Sequence, residues 1–128
     1  MDKIKVSDAE WRVMKVLWSG ADRTLGEIIE ALGEENRWSY TTVRTLLVRL
    51  VDKHAVEADK SSGVYRYRAI YDEKECVKVE IRSFLSRVFD NSPTRLIAAL
   101  VEDGEIDEKE RKEILRLLSE LHGEEEKK

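Results

Sequence analysis

Three stretches in the first half of the chain repeat apolar residues at helical spacing. The first is predicted to follow an N-cap at Ser7 and to end at Gly20, and Glu10 completes a capping box with that serine. The second is predicted to follow an N-cap at Thr24, again with capping-box spacing, and to end at Gly33. These signals predict two short amphipathic helices in succession.

The third stretch, WSYTTVRTLLVRL from Trp38 to Leu50, predicts a helix with two contrasting faces. Ser39 is its expected N-cap, and the helix should end near His54, in a conformation usually left to Gly or Asn. One face is an apolar stripe of Val43, Leu46, Leu47, Leu50 and Val51. The opposite face has no carboxylate and consists of Tyr40, Thr41, Arg44, Thr45, Val48 and Arg49. Because an ordinary solvated face is rich in Glu and Lys, this face indicates a negatively charged partner.

After the third helix the spacing of apolar residues changes from helical to alternating. The segments AVEAD and VYRYRAI flank KSSG, which predicts a two-stranded β-hairpin with its turn at residues 61–63. Three helices followed by a hairpin within residues 1–70 are the plan of a winged helix-turn-helix domain. The predicted fold class is therefore mainly α with a small β-hairpin wing.

Residues 71–128 return to helical spacing and are predicted to form a three-helix dimerisation region. Helices are expected over residues 73–89 and 93–102, then after a cap at Asp107, and the final GEEEKK is expected to be frayed. A region this short lies near the lower size limit for a self-sufficient core, which favours pairing with a second chain. The alternatives are a region that folds back on the first domain and a monomeric α-bundle. The expected interface residues are Phe84, Val88, Leu96, Leu100, Ile114, Leu115 and Leu118.

Charge is unevenly distributed along a chain whose net charge is −4. Residues 36–68 contain seven basic and three acidic residues, so this stretch is a basic island of +4 in an acidic protein. The local excess of cations favours double-stranded DNA as the partner. Arginine can donate two hydrogen bonds to guanine, and threonine offers a hydroxyl to base edges and a methyl to thymine. The residues expected to contact DNA are Ser39, Tyr40, Thr41, Thr42, Arg44, Thr45, Arg49, Lys60, Arg66 and Arg68.

Simpler interpretations of these residues stay open. Arg44 and Arg49 fit a solvated surface as well, with Asp52 as a partner for Arg49. Tyr65 and Tyr67 fit packing within the hairpin better than stacking on nucleic acid, and the three tryptophans fit a core. A winged helix can also serve as a protein-interaction module, or as an architectural DNA binder without sequence preference. A preference for one base sequence would separate these functions.

Enzymes and metal proteins find no support in the sequence. It has no Ser/His/Asp, Cys/His or HExxH grouping and no Gly-rich phosphate loop, so an enzyme is not expected. His54, His122 and Cys76 have no companions at metal-ligand spacing, so no metal or other cofactor is expected. The N-terminus MDKIKVSDAE has no signal-peptide core and no apolar run could span a membrane. With a single cysteine, these features predict a cytoplasmic protein without membrane contact.

Several motifs together resemble one known family. They are SDAEWRVMKVLW, EIIEAL, WSYTTVRTLLVRLVDKHAV, YRYRAI and SFLSRVFDNSPTRLIAALVED. The chain is similar through them to the penicillinase-repressor (BlaI/MecI/CopY) family of bacterial transcriptional regulators, from about Val6 to Leu121. The most specific motif is Trp-Ser-x-x-Thr-[Val/Ile]-Arg-Thr-Leu.

The resemblance implies an N-terminal winged helix, a C-terminal dimerisation region and a homodimer that represses transcription at a palindromic operator. It implies a recognition helix at about residues 39–53, with the base-reading role on Thr41, Thr42, Arg44, Thr45 and Arg49. The β-lactam branch of that family is inactivated by a regulatory protease at an Asn-Phe bond. The matching pair here is Ala99 and Leu100, which makes this bond the candidate proteolytic switch.

Two further features depart from the family pattern. The copper branch carries a C-terminal Cys-x-Cys cluster, and the tail LHGEEEKK has none. His54 stands where the family usually has Gly after the recognition helix. The inducing signal, the operator and the regulated genes therefore stay open.

Overall fold

The computed structural model describes residues 5–126 of the 128-residue chain. Within that range the chain forms six α-helices and three short strands. In order they are α1 (Asp8–Trp18), β1 (Arg23–Thr24), α2 (Leu25–Asn36), α3 (Tyr40–Asp52), β2 (Val56–Asp59), β3 (Arg66–Ala69), α4 (Glu73–Val88), α5 (Pro93–Glu102) and α6 (Glu108–Glu126). This mainly helical fold with a small antiparallel sheet confirms the predicted fold class.

Both predicted capping boxes are present. The Ser7 hydroxyl accepts a hydrogen bond from the Glu10 backbone N–H at 3.2 Å, and the Glu10 carboxylate accepts one from the Ser7 N–H at 2.9 Å. Thr24 and Glu27 make the same reciprocal pair at 3.2 and 2.8 Å. Each box satisfies two N–H groups that a helix start would otherwise leave without an intrahelical partner.

The ends of α1 and α2 differ in part from the prediction. α1 ends at Trp18 with Ser19 as its C-cap, so Gly20 directly follows the helix as predicted, but it does not adopt the left-handed conformation of a glycine cap. Gly33 does break α2, with φ +69° and ψ −175°, as expected for a residue without Cβ. One further helical turn then leads to Asn36, and this turn was not predicted.

A hydrogen-bonded C-terminal turn ends α3 at the predicted place. His54 adopts the left-handed conformation with φ +63°, and its N–H donates to the carbonyl of Val51 at 3.0 Å. The N–H of Ala55 donates to the carbonyl of Leu50 at 2.9 Å. These two bonds form a Schellman motif, and Leu50 and Ala55 supply its apolar contact because both are fully buried.

The sheet has three strands in the order β1-β3-β2 and is antiparallel throughout. The predicted hairpin is β2 and β3, and Gly63 with φ +89° lies in the predicted turn. A third strand, β1, was missed, and it pairs Arg23 with Tyr67 and Thr24 with Arg66. Two residues are too few to show alternation, and the pairing partner lies more than forty positions away along the chain.

The hydrophobic core draws on α1, α2, α3 and the start of β2. It consists of Val13, Met14, Leu17, Ile28, Val43, Leu46, Leu47, Leu50, Ala55 and Val56. Trp18 and Trp38 pack against this cluster, as predicted, and so does Tyr67, for which packing within the hairpin was expected. Trp11 is half-buried and meets Trp18 edge to face, with ring centroids 5.5 Å apart. This core holds α3 by its apolar stripe, so the opposite face of α3 is the exposed one.

The chain forms two compact units, and their boundary falls within α4, between Glu80 and Ile81. The boundary expected from the sequence, after residue 70, corresponds to the end of the hairpin. The first two turns of α4, including the buried Cys76, belong to the first unit.

The second unit contains the rest of α4 together with α5 and α6. The predicted cap at Asp107 is present and accepts from the Glu110 N–H at 2.8 Å. Ser92, which was not predicted as a cap, accepts from the Arg95 N–H at 3.1 Å at the start of α5. The segment expected to be frayed is helical as far as Glu126, because a glycine inside a helix costs only about 1 kcal/mol. Lys127 and Lys128 lie outside the described residues. None of the helices within residues 5–126 is long and apolar enough to cross a membrane.

Candidate nucleic-acid interface

The outward face of α3 is continuous, exposed and free of carboxylates over three turns. Ser39 caps the helix, and its hydroxyl accepts from the Thr42 N–H at 3.2 Å. Seven exposed side chains from the helix form this face, which we call the α3 face: Tyr40, Thr41, Thr42, Arg44, Thr45, Val48 and Arg49. Val48 is half exposed on this face, although the sequence did not predict it as a contact residue.

The cations near the α3 face fall into two groups. Among the described side chains, no ion pair involves Arg44, Arg49 or Lys60. The expected surface pair of Asp52 with Arg49 is therefore absent among the described side chains, while the alternative of two solvated arginines stays open. These three side chains keep their charge available for a partner.

The wing arginines form the second group. Arg66 and Arg68 share one face of β3, as their alternation predicted. Opposite them on β2, the register places Asp59 beside Arg66 and Glu57 beside Arg68. The Nε of Arg68 donates to the Glu57 carboxylate at 2.6 Å, and Arg66 lies 3.9 Å from a carboxylate oxygen of α2. The outer face of the wing is thus close to neutral, which the sequence did not reveal because register is set by tertiary pairing.

A cleft of about 740 Å³ separates the α3 face from the wing. Its walls come from the start of α2, the outer side of α3 and both strands of the hairpin. The lining residues are Thr24, Leu25, Gly26, Tyr40, Arg44, Val48, Val51, Asp52, Ala58, Val64, Tyr65 and Tyr67. Arg44 therefore borders both the α3 face and this cleft.

Two tyrosines of the wing stack beside the cleft. The rings of Tyr65 and Tyr67 are 6.3 Å apart and nearly parallel, and the ammonium of Lys60 lies 5.3 Å from the centre of the Tyr65 ring. Burial raises the pKa of the Tyr67 phenol, as does Tyr65, while the charge of Arg44 opposes that rise. Tyr67 packs against the core as predicted, but Tyr65 is half exposed and lines the cleft. Tyr65 therefore packs on Tyr67 and also presents part of its ring to the cleft.

A second surface of interest lies on the second unit. Among the described side chains from residue 81 to 121, no hydrophobic residue is fully buried. Of the predicted interface residues, Leu96, Leu100 and Ile114 are half-buried. The other four, Phe84, Val88, Leu115 and Leu118, are exposed. Further exposed apolar residues of this unit are Ile81, Ile97, Val101, Leu117 and Leu121.

The candidate proteolytic switch lies inside a regular helix. Ala99 and Leu100 are both half-buried in α5, and the carbonyls of both accept backbone hydrogen bonds in the turn after the helix. A protease binds its substrate in an extended conformation, so α5 would have to unwind before this bond could be cut.

Comparison with known proteins identifies the family. The model of the penicillinase repressor family matches residues 6–120. The chain belongs to this family. It is 32% identical over 121 residues to the penicillinase repressor of Bacillus licheniformis, covering 94% of each chain. It is 26% identical over 115 residues to the methicillin resistance regulatory protein MecI of Staphylococcus aureus strain N315, covering 90% of this chain and 94% of that protein.

One solved structure of the penicillinase repressor family matches the first part of the chain. It is the solution structure of the DNA binding domain of the repressor BlaI, with a TM-score of 0.51 and 38% sequence identity. The match covers 59% of this chain and 93% of that one. The share of this chain that matches is about the size of its winged helix.

Proposed function

We propose that this protein is a dimeric, sequence-specific DNA-binding transcriptional repressor whose helix α3 enters the major groove of a palindromic operator. Its membership of the penicillinase repressor family and its similarity to the BlaI DNA binding domain support a DNA-binding repressor rather than an enzyme. The observation that carries the proposal is the α3 face, which presents two arginines without ion-pair partners among the described side chains, and no carboxylate.

The chemistry of the α3 face fits base edges and phosphates. Arg44 and Arg49 can each donate paired hydrogen bonds to guanine, and exposed threonine hydroxyls and methyls suit adenine and thymine edges. Ser39, Tyr40 and the N–H groups at the start of α3 suit a phosphate, because a helix N-terminus favours anions. A carboxylate on this face would meet about one negative charge per 1.7 Å of duplex.

On the wing, Lys60 is the best-supported contact. It is exposed and lies at the hairpin turn, and no described carboxylate pairs with it. Arg66 and Arg68 are still proposed to contact the DNA backbone, but each would have to leave a carboxylate partner in order to bind a phosphate. We therefore expect a smaller loss of affinity from Arg68→Ala than from Lys60→Ala.

The proposed homodimer forms through the second unit. A unit of this size without a fully buried hydrophobic residue among its described side chains buries little apolar surface, which favours a partner that covers the rest. Exposed apolar residues on all three helices suit a self-complementary contact across a two-fold axis. Two recognition helices would then address half-sites about one helical turn apart, or a multiple of it.

The cellular location of the protein and the way its repression is relieved are further parts of the proposal. Binding to an operator supports the predicted cytoplasmic location, since a repressor works where the DNA is. A regulatory protease acting at Ala99 and Leu100 stays a prediction that rests on the family resemblance. Cutting there would remove α6 and its apolar residues, so we expect the dimer and the operator affinity to weaken together.

Substitution of Arg44 tests the proposed role of the α3 face. Arg44→Ala should weaken binding to a selected duplex by about 1–3 kcal/mol and binding to a scrambled duplex by less. Arg87→Ala on α4 is the matched control, because it removes the same charge far along the chain and should change neither affinity. Fluorescence anisotropy on both duplexes measures the two losses.

The pattern of losses separates the candidate functions. Equal losses on both duplexes would make Arg44 a phosphate contact and favour an architectural binder. No loss on either would contradict a DNA-binding α3 face and favour a protein-interaction module.

A further inference from the structure

The C-terminal end of α3 is bonded to two other parts of the first unit through Lys53. The Lys53 ammonium donates to the Glu10 carboxylate at 2.7 Å and to the carbonyl of Lys5 at 2.8 Å. The carbonyl of Lys53 accepts from the hydroxyl of Tyr71 at 3.0 Å. The end of the proposed recognition helix is thus held on one side by α1 and on the other by the segment that follows the wing.

Tyr71 carries this connection to the entrance of α4. Its carbonyl accepts from the indole N–H of Trp18 at 2.9 Å, and its N–H donates to the carbonyl of Ala55 at 3.1 Å. Two residues later, at Glu73, α4 begins. We call Glu10, Trp18, Lys53 and Tyr71 the Lys53 network.

The Lys53 network resists disruption because one of its members is a buried charge. Glu10 is 3% exposed and is the one fully buried charged residue among the described side chains. Moving the ammonium of Lys53 away would leave a buried carboxylate without its cation, which is strongly unfavourable. The ring of Tyr71 also packs against the core. The end of α3 is therefore fixed more firmly than a helix end bonded only to water.

We infer that Lys53 and Tyr71 are positioning residues that fix the direction of α3 relative to the entrance of α4, and thereby set the half-site spacing that the dimer accepts. The inference rests on the proposed function, since spacing has meaning only for a dimer that reads two half-sites. Neither residue needs to touch DNA, because both act through α3.

A small rotation is enough to matter. The 13 residues of α3 span about 20 Å at 1.5 Å per residue. A rotation of about 10° at its C-terminal end would move its N-terminal end by about 3.4 Å, which is the rise of one base pair. Loss of the Lys53 network should therefore relax discrimination between neighbouring spacings before it affects the contacts that each α3 face makes with its own half-site.

The first arm of the test needs no DNA. Tyr71→Phe removes only the hydroxyl that donates to Lys53, and Lys53→Met removes only the ammonium. Hydrogen exchange of the His54 and Ala55 amides should become roughly tenfold faster in both variants, because the turn that ends α3 would open more often. Lys53→Arg, which keeps the donors, should restore slow exchange, and Lys74→Met on α4 should have no effect.

The second arm measures the consequence for binding. Duplexes carry the selected inverted repeat with its half-sites at the preferred spacing, or one or two base pairs closer or further apart. The wild type should bind the preferred spacing best, by about tenfold or more per base pair of displacement. Tyr71→Phe and Lys53→Met should flatten this profile while their affinity for a single half-site stays close to the wild type. The thermal stability of Tyr71→Phe should also stay close to the wild type, whereas that of Lys53→Met should fall because the Glu10 carboxylate loses its cation.

Each outcome decides the inference. Unchanged exchange in both variants would overturn the network, whatever the DNA results. Faster exchange with an unchanged profile, or with an equal loss at all spacings, would overturn the positioning role and leave a structural one. A wild type without any spacing preference would instead overturn the proposed dimeric repressor, and the exchange data would show that the network itself is intact.

Discussion

His54 is one of four non-glycine residues with a left-handed backbone among the described residues, with Arg37, Asp90 and Asn91. It ends α3, the proposed recognition helix, with φ +63°, a conformation that costs an L-residue about 1–2 kcal/mol. Glycine is the usual residue at this position of a Schellman motif because it has no Cβ. The hydrogen bonds of His54 and Ala55 hold the strained conformation in place.

Substituting His54 by glycine should therefore stabilise the protein. The relief of strain exceeds the extra conformational entropy that glycine has in the unfolded chain, so we expect a gain of about 0.5–1 kcal/mol. The melting temperature should rise by a few degrees, roughly 2–6 °C for a domain of this size. Thermal unfolding followed by circular dichroism measures the shift.

His54→Ala is the matched control, because it removes the same ring and keeps the Cβ. It should not raise the melting temperature. Equal melting temperatures for the glycine and alanine variants would mean that backbone strain at this position is negligible.

The residues on the exposed face of α3 could be predicted from the sequence, whereas the ion pairs of the wing arginines could not. The spacing of Val43, Leu46 and Leu50 determines which face is buried, so the position of Arg44 on the other face follows from 3.6-residue periodicity. Arg68 looks equally free in the sequence. Its pairing with Glu57 depends on the register of two strands, which local sequence does not determine.

At the scale of elements, helix starts were predictable because they depend on residues three positions apart. The capping boxes at Ser7 and Thr24 are of this kind, and both were correctly predicted. Contacts between elements were not predictable in the same way. The missed strand β1 and the pairing of Glu10 with Lys53, 43 positions away, both depend on the folded chain.

The ion pair between Glu10 of α1 and Lys53 at the end of α3 makes the stability of the fold depend on pH. Burial raises the pKa of the Glu10 carboxyl, but hydrogen bonds from Lys53 and Ser7 and the charge of Lys53 together lower it below its ordinary value. A carboxyl with a lowered pKa stabilises the fold above the pKa it has in the unfolded chain, about 4.3. This contribution is lost as the pH falls through the lower pKa of the folded state.

Glu10→Gln should reveal this dependence. At pH 7 the variant should be less stable by about 1–2 kcal/mol, a value reduced because Lys53 is partly exposed. The difference from the wild type should persist down to about pH 5 and shrink below about pH 4. Urea unfolding at pH 7, 5, 4 and 3 measures the difference. A constant difference over this range would show that the charge of Glu10 does not contribute.

At the scale of the whole molecule, the two halves differ in charge as well as in burial. Residues 1–70 hold 12 basic and 11 acidic residues, a net charge of +1. Residues 71–128 hold 11 basic and 16 acidic residues, a net charge of −5, and the two together give the net charge of −4. Such a half is repelled by DNA and exposes apolar residues instead. These properties suit pairing with a second chain, which raises effective concentration without new contacts to DNA.

Replacing two leucines of α6 tests the proposed dimer. Leu115→Asp with Leu118→Asp should give a monomer by sedimentation, because each new aspartate would place a carboxylate in the proposed apolar interface. Operator affinity should fall by about a hundredfold or more. The winged helix should stay folded by circular dichroism, since its core lies in the first unit.

A second pair of substitutions on α6 controls for the added charge. Lys112→Ser with Ser119→Asp changes the net charge by the same −2 at exposed polar positions and should leave the dimer intact. If the leucine variant were a proven monomer with unchanged operator affinity, the second unit would serve something other than pairing.

The central claim, that a dimer of this chain reads a specific DNA sequence, is tested most directly by selecting bound duplexes from a random pool. We predict enrichment of one inverted repeat, with half-site centres about 10 base pairs apart or a multiple of that distance. Recovery of duplexes with no common sequence, or of a single half-site without its inverted copy, would contradict it.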